Sequence, residues 1–128
     1  MKPFVVCTGG EPLLQLDDDL VTALHKANFT VAVETNGTKQ VHCKADWVCC
    51  SPKAGADLVL KSGNELKFVF PQIGLLPSDL EILEFDHFFL QPMDGPNLEE
   101  NTVKAIQYCQ QNPLWRLSTQ LHKTVGIR

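Results

Sequence analysis

Apolar runs that stop at polar clusters recur along this chain and predict its strands. Several of these runs are almost continuously apolar rather than alternating, which is typical of strands covered on both faces of a parallel sheet. The six predicted strands are residues 4–7, 30–33, 47–50, 66–70, 87–90 and 115–117.

Helical periodicity fills some of the gaps between these strands. Residues 17–28 place their apolar side chains on one face and begin with three aspartates, which favour the positive end of a helix dipole. Residues 98–111 carry a similar apolar face after Asn97, a residue suited to a helix cap. A shorter helix is predicted at 78–83. Strands that alternate with helices predict an α/β fold.

Polar clusters follow the predicted strands and carry the candidate chemistry. In a parallel α/β sheet all strands end on one side, where active sites are assembled from several strands. Each cluster alone is more simply explained as turn chemistry, because Gly, Pro, Asn, Asp and Ser favour turns for local backbone reasons. All six together favour a ligand site. The clusters are residues 8–12, 34–37, 51–53, 71–72, 91–94 and 118–120.

The turn Thr8-Gly9-Gly10-Glu11-Pro12 is the most informative of these clusters. Two adjacent glycines allow a ligand to approach the backbone closely, because neither has a Cβ atom and positive φ values carry little penalty. The turn amides suit a ligand carboxylate, and Glu11 suits an ammonium group. A tight turn that leads into a helix explains the same residues without any ligand.

Composition narrows the class of protein. The 128 residues, 44% of them apolar and 20% charged, are predicted to form a single domain, 1–128. A net charge of −4 without a basic run argues against nucleic acid as a partner. No apolar stretch approaches the roughly 20 residues that span a bilayer, and the N-terminus does not resemble a signal peptide. We therefore expect a cytoplasmic protein without a membrane partner.

The cysteines and histidines form no compact metal motif. An odd number of cysteines in a reducing compartment argues against a disulfide framework, and we interpret all five as small buried apolar residues. His122 stands out because it lies beside Lys123 after the last predicted strand, although a structural role explains it more simply. The cysteines are Cys7, Cys43, Cys49, Cys50 and Cys109.

Five motifs occur in a fixed order along the chain: CTGGEPLL at 7–14, VETNGT at 33–38, SPKAG at 51–55, ELKFV at 65–69 and FLQPMDG at 89–95. The ordered set resembles the 7-carboxy-7-deazaguanine synthases, radical S-adenosylmethionine enzymes of 7-deazapurine (queuosine precursor) biosynthesis. The last eight residues, LHKTVGIR, fit this family as well. Each motif alone is shared with other radical enzymes, but the five in this order are specific.

The resemblance implies an activity and its partners. Family members are lyases that convert 6-carboxy-5,6,7,8-tetrahydropterin to 7-carboxy-7-deazaguanine and ammonia. In them a reduced [4Fe-4S] cluster cleaves S-adenosylmethionine, the resulting 5′-deoxyadenosyl radical abstracts hydrogen from C6, and a magnesium-assisted ring contraction follows. A pterin is the implied small-molecule partner, and a homodimer is the implied assembly of the full-length protein.

The resemblance also implies roles for single residues. Thr8 and Arg128 are expected to contact the pterin, the latter through its terminal carboxylate, because pterin rings present N–H donors along one edge. Glu34 and Asn36 are further candidates at the same site. No catalytic residue and no metal ligand is assigned. The expected contacts of S-adenosylmethionine are Gly10, Ser51, Pro52, Lys53, Gln91, Pro92, Met93 and Asp94.

The sequence departs from the family where the iron–sulfur cluster would be held. The family binds its cluster through three cysteines in a loop after the first strand, and the following Thr belongs to its magnesium site; no such loop is found here. We therefore expect a partial (β/α)6 TIM-like barrel of the radical S-adenosylmethionine type that lacks its first strand and helix. Such a fragment is expected to be inactive alone and to expose a strand edge that invites aggregation or a partner.

Two other interpretations stay open. A glycyl-radical activating enzyme shares Gly-Gly-Glu-Pro but has no evident need for the cluster at 91–95. A non-catalytic remnant that binds a partner through its exposed strand edge is the second. The fit of the C-terminal residues favours the deazapurine synthase.

Overall fold

Six parallel strands lie side by side in the order in which they follow one another along the chain. The computed structural model describes residues 1–127. Within these residues β1 and β6 are the outer strands and do not pair with each other, so the sheet is open. The strands are β1 (Phe4–Cys7), β2 (Thr30–Thr35), β3 (Trp47–Cys50), β4 (Ser62–Phe70), β5 (Glu84–Pro92) and β6 (Trp115–Leu117).

All six predicted strands are confirmed, but three of them are longer than predicted. β2 continues to Thr35, β4 begins at Ser62 rather than at position 66, and β5 begins at Glu84 rather than at position 87. The added residues are mostly polar, so they fall outside the apolar runs. Some of these residues are held by side-chain hydrogen bonds rather than by burial. For example, Asn64 Oδ1 accepts from Val48 N at 2.9 Å and joins β4 to β3.

Two of the helices lie where the periodicity predicts them. Asp17 caps the first by accepting from Leu20 N at 2.8 Å. The predicted helix at 78–83 is wrong in type, because a 3₁₀ turn occupies Pro77–Leu80 and β5 begins too soon after it for α-helical turns to form. A short third helix follows β6 and was not predicted. The helices are α1 (Asp18–Lys26), α2 (Leu98–Gln111) and α3 (Leu121–Thr124).

The longer helices pack on one face of the sheet, where two apolar clusters form the core. α1 packs on β2, burying Val21, Val31 and Val33 completely. α2 packs on β5 and β6, and Trp115 is buried there with its Nε1 donating to Glu81 Oε1 at 2.8 Å. None of the helices in the described residues is long and apolar enough to cross a membrane.

The opposite face of the sheet, which we call the inner face, carries polar side chains. Side chains alternate between the two faces of a strand, so Glu65 and Lys67 lie opposite the buried Leu66 of β4. Trp47 Nε1 donates to Glu65 Oε2 at 3.2 Å, and the Trp47 ring stacks on His87 with centroids 5.9 Å apart. The inner face is therefore a network of polar and aromatic groups.

Candidate functional site

The six polar clusters come together on one side of the sheet. Each begins within the last two residues of a parallel strand or directly after it, and the strands pair in sequence order. The structure therefore confirms that the clusters share one side, which we call the carboxyl rim. It consists of residues 8–12, 34–37, 51–53, 71–72, 91–94 and 118–120.

The glycine turn after β1 is open to a ligand. Gly9 and Gly10 have φ values of +79° and +49°, and a Cβ atom built on either would meet no atom within 4 Å. Within residues 1–127 their amide N–H groups donate no hydrogen bond. A cavity of about 380 Å³ is lined by this turn and by residues that lead into α1, among them Leu16 and Leu20. The turn thus offers free backbone donors beside a cavity.

Glu11 has a different role from the ammonium contact that its position suggests. Its Oε1 accepts from Thr35 Oγ1 at 2.6 Å and from Leu13 N at 3.1 Å, and its Oε2 accepts from Asn36 N at 2.8 Å. Three of the roughly four acceptor sites of the carboxylate are therefore used within the chain. Glu11 ties the glycine turn to the end of β2, and the sequence alone does not reveal this because Thr35 and Asn36 lie about two dozen residues away.

The cluster after β2 is held by its own side chains. Asn36 Oδ1 accepts from Thr38 N at 2.9 Å and from Thr38 Oγ1 at 2.7 Å. Gly37 has a φ of +78°, and a Cβ atom built on it would lie 2.5 Å from Leu58 Cδ1 and 2.6 Å from Cys50 Sγ. Glycine is therefore required here by conformation and by close packing together.

The loop after β3 contains Ser51, Pro52 and Lys53 and is fixed to the end of β4. Gln72 Oε1 accepts from Ala54 N at 2.8 Å, while Gln72 Nε2 donates to the carbonyl of Pro52 at 3.3 Å. Lys53 Nζ donates to Ser51 Oγ at 3.0 Å. Burial, with the nearby Lys67 charge as a second cause, lowers the pKa of Lys53. The sequence places Gln72 in a polar cluster but does not predict that it positions this loop.

The end of β5 (Gln91 and Pro92) and the loop after it (Met93 and Asp94) are fixed from three directions. Met93 N donates to the carbonyl of Phe70 at 2.7 Å, and the buried Asn101 of α2 donates from Nδ2 to the Met93 carbonyl at 3.0 Å. Asp94 forms an ion pair with Lys123 of α3, and the hydrogen bond from Lys123 lowers the pKa of Asp94. A cavity of about 240 Å³ lies between this loop, α2 and α3. Pattern analysis gives no sign of the role of Asn101.

The predicted ligand residues within the described part of the chain all lie at the carboxyl rim. Thr8, Gly10 and the two loops after β3 and β5 are brought to the same side of the sheet, and their contacts with ligands stay predictions. Arg128 lies outside the described residues. His122 lies in α3.

The described residues do not fit a [4Fe-4S] cluster or a magnesium ion. No group of three His, Cys, Asp or Glu side chains within residues 1–127 is arranged to hold a metal. Cys49 and Cys50 are buried neighbours on β3, so they point to opposite faces of the sheet. Burial raises the pKa of both thiols, that of Cys50 to about 12, and keeps them protonated at neutral pH.

The donor set of the rim does fit S-adenosylmethionine. This molecule carries an ammonium, a carboxylate, ribose hydroxyls and an adenine ring, which need hydrogen-bond donors and acceptors together. The rim offers the free amides of Gly9 and Gly10, the Ser51 hydroxyl and the Lys53 ammonium beside backbone carbonyls. The groups are spread over several strand ends, as a long ligand requires.

Comparison with known proteins places this geometry in a family. The chain is 56% identical over 125 residues to a 7-carboxy-7-deazaguanine synthase of Bradyrhizobium diazoefficiens, covering 98% of the chain and 60% of that protein. It is 55% identical over 124 residues to the 7-carboxy-7-deazaguanine synthase of Burkholderia multivorans, covering 97% of the chain and 59% of that protein. No family model matches the chain.

A solved structure shows the same fold. The crystal structure of QueE from Escherichia coli superposes with a TM-score of 0.73 at 31% identity, covering 91% of this chain and 56% of that one. The open six-stranded sheet is therefore a partial α/β barrel, as the sequence predicts. The chain spans about three fifths of the length of the curated relatives named above. It belongs to the 7-carboxy-7-deazaguanine synthase family.

Proposed function

We propose that this chain supplies the S-adenosylmethionine cradle and part of the pterin site of a 7-carboxy-7-deazaguanine synthase. The reaction is a carbon–nitrogen lyase step that converts 6-carboxy-5,6,7,8-tetrahydropterin to 7-carboxy-7-deazaguanine and ammonia. One observation carries the proposal: the 56% identity to the synthase of Bradyrhizobium diazoefficiens extends over 98% of the chain. The open carboxyl rim supports it independently.

The proposed cradle divides the cofactor among three loops. The amides of the Gly9-Gly10 turn bind the methionyl end, while the loops after β3 and β5 bind the ribose and adenine parts. S-adenosylmethionine, when bound, supplies the one-electron chemistry of the reaction. The chain's own residues orient it: Glu11, Gln72 and Asn101 hold the three loops in place.

The pterin is proposed to bind at the same rim, beside the cofactor. Thr8 lies directly before the glycine turn, and its hydroxyl can donate to or accept from a pterin ring. Arg128, with its terminal carboxylate, is the second proposed contact. A homodimer is proposed for the full-length protein. Because the described residues fit no [4Fe-4S] cluster, we derive no electron transfer from them and expect no turnover by the chain alone.

The function is tested by complementation under anaerobic conditions. The chain is mixed with the part of the Burkholderia multivorans synthase that lies outside the matched 124 residues, reconstituted with iron and sulfide, and given reductant, both substrates and Mg²⁺. We expect 7-carboxy-7-deazaguanine to form only in the mixture. Binding of S-adenosylmethionine without any product in the mixture would favour a non-catalytic remnant.

The cradle itself is tested with a glycine variant. Gly10→Val forces a β-branched residue into a left-handed conformation and places its side chain beside the cavity. We expect the dissociation constant for S-adenosylmethionine, measured by calorimetry, to rise by at least about tenfold. Gly74→Val is the matched control, since Gly74 has a φ of +83° and equally open surroundings at the tip of another loop. Equal binding by the two variants would contradict the placement of the methionyl end.

A further inference from the structure

Lys67 and Glu34 form an ion pair on the inner face, at the carboxyl rim to which Glu34 belongs. Lys67 lies on β4 and Glu34 on β2, and their charged atoms Nζ and Oε1 are 3.0 Å apart. β3 lies between these strands, so the lysine reaches across Cys49 to its partner. Glu34 is followed at once by Thr35 and Asn36, the residues that Glu11 ties to the glycine turn.

The two partners of this pair differ in exposure. The Lys67 side chain is 19% exposed and that of Glu34 is 40% exposed. Burial alone would lower the pKa of Lys67, but its neighbours, among them the carboxylates of Glu34 and Glu65, outweigh that effect, so the pKa lies above its ordinary value. The lysine is therefore charged at neutral pH and is held in place by its surroundings.

Glu34 keeps one carboxylate oxygen free. Its Oε1 accepts from Lys67, whereas Oε2 accepts no hydrogen bond from any residue in the range 1–127. Exposed ion pairs contribute little to stability, so a half-exposed pair is weak as a purely structural device. A carboxylate whose orientation is fixed through one oxygen, and whose second oxygen has no partner within residues 1–127, is suited to accept a hydrogen bond from a ligand.

We propose that Lys67 is a positioning residue of the ligand site, and that it fixes Glu34 so that the free oxygen accepts from an O–H or N–H donor of a bound ligand. The inference rests on the proposed function, because the ligand at the rim is either S-adenosylmethionine or the pterin. Both molecules offer such donors, and separate binding measurements distinguish them.

The test measures binding of each ligand to the 128-residue chain and three variants. Lys67→Met frees Glu34, and Glu34→Gln weakens the acceptor. Each is expected to raise the dissociation constant of one of the two ligands about tenfold, the effect of losing one charge-assisted hydrogen bond. Because Lys67 acts through Glu34, the double variant Glu34→Gln/Lys67→Met is expected to bind no more weakly than Lys67→Met alone. Additive losses would mean that Lys67 acts independently of Glu34 and would overturn the inference.

Two controls separate positioning from a general loss of structure. Lys67→Arg keeps the charge and is expected to restore binding to within about threefold. Lys104→Met removes the exposed ion pair with Glu100 on α2, where the charged atoms are 2.6 Å apart, and is expected to leave the affinity unchanged. Thermal unfolding of each variant shows whether it is folded.

A second readout does not depend on any ligand. Since the neighbouring carboxylates raise the pKa of Lys67 against the effect of burial, Glu34→Gln is expected to lower it in an NMR titration. If the Lys67 pKa is unchanged in Glu34→Gln, or if Lys67→Met binds both ligands as tightly as wild type, the inference is overturned while the proposed function stands. A wild-type chain that binds neither S-adenosylmethionine nor the pterin overturns the proposed function together with the inference.

Discussion

Gly10 and Gly37 occupy similar places in the sequence and different places in the structure. Each lies in a polar cluster after a strand, and each has a positive φ value. A Cβ atom on Gly10 would meet open space, whereas one on Gly37 would collide with Leu58 and Cys50. The first glycine leaves room for a ligand, and the second leaves room for the core.

Replacing Gly37 therefore tests packing rather than binding. Gly37→Ala adds left-handed strain and a steric clash, and we expect the free energy of unfolding to fall by about 3 kcal/mol. Gly74→Ala, at a position with a similar φ value but no neighbouring atom, is expected to cost only about 1 kcal/mol. Urea unfolding of both variants gives the comparison. Equal losses of unfolding free energy would show that the Leu58 and Cys50 side chains move aside without cost.

The sequence predicts where these residues lie better than what they contact. Thr8, Gly10 and Glu11 were placed at the carboxyl rim because a strand ends just before them. The partners of Glu11 were not predicted, because they depend on which strand lies beside β1. Pairings of this kind arise from tertiary structure and leave no local pattern.

Between elements, Asp46 joins α1 to β2. Its Oδ2 accepts from Val31 N at 2.8 Å and lies 2.8 Å from Nε2 of His25, at the end of α1. The backbone donor of Val31 is the larger cause, and His25 the second, of a pKa for Asp46 below its ordinary value of 3.8. The carboxylate is thus a clasp between a helix and a strand at the start of the sheet.

This clasp predicts a dependence of stability on pH. A lowered folded-state pKa means that the contribution is present above about pH 4, the ordinary range of the carboxyl, and is lost as the pH falls through the folded-state value. Asp46→Asn is expected to lower the free energy of unfolding at pH 7 by about 1 kcal/mol, in the range for a hydrogen bond to a charged group discounted for exposure. The difference from wild type is expected to shrink at pH 3 in urea titrations. Asp57→Asn, at an exposed residue, is the control, and a difference that persists at low pH would argue against the clasp.

Element boundaries were predicted well where burial sets them and poorly where hydrogen bonds do. β1, β3 and β6 match their predicted ranges because their apolar runs coincide with the strands. β4 and β5 extend into polar residues, and the turn at Pro77–Leu80 is too short to show a period. The apolar pattern indicates which residues are buried. It does not predict strand residues whose side chains are polar, such as Glu65 and Lys67 on the inner face.

For the whole molecule, the distribution of thiols predicts the outcome of iron reconstitution. Cys49 and Cys50 are protonated and point to opposite faces, and no set of three potential ligands exists within residues 1–127. We expect the purified chain to stay colourless after anaerobic incubation with iron and sulfide and subsequent desalting. The Burkholderia multivorans synthase, treated in parallel, is the positive control. A stable brown product absorbing near about 400 nm would show that these cysteines are ligands after all.

The open sheet leaves the edge of β1 accessible. The side chains of Phe4 and Val6 are 59% and 50% exposed. Within the described residues β1 pairs only with β2. Unpaired strand edges of this kind promote association with another strand. The expectation of aggregation or a partner at this edge stays a prediction, which the oligomeric state of the chain in solution would test.

The strand order has a further consequence for how the chain folds. Because each strand pairs with the one before it, every pairing in the described sheet is between neighbours in sequence, and loop closure costs little for each of them. The sheet can grow one strand at a time in the direction of synthesis, each new strand docking on a strand already present. A separately made segment that contributes strands of its own can join at an outer edge without any existing pair having to open.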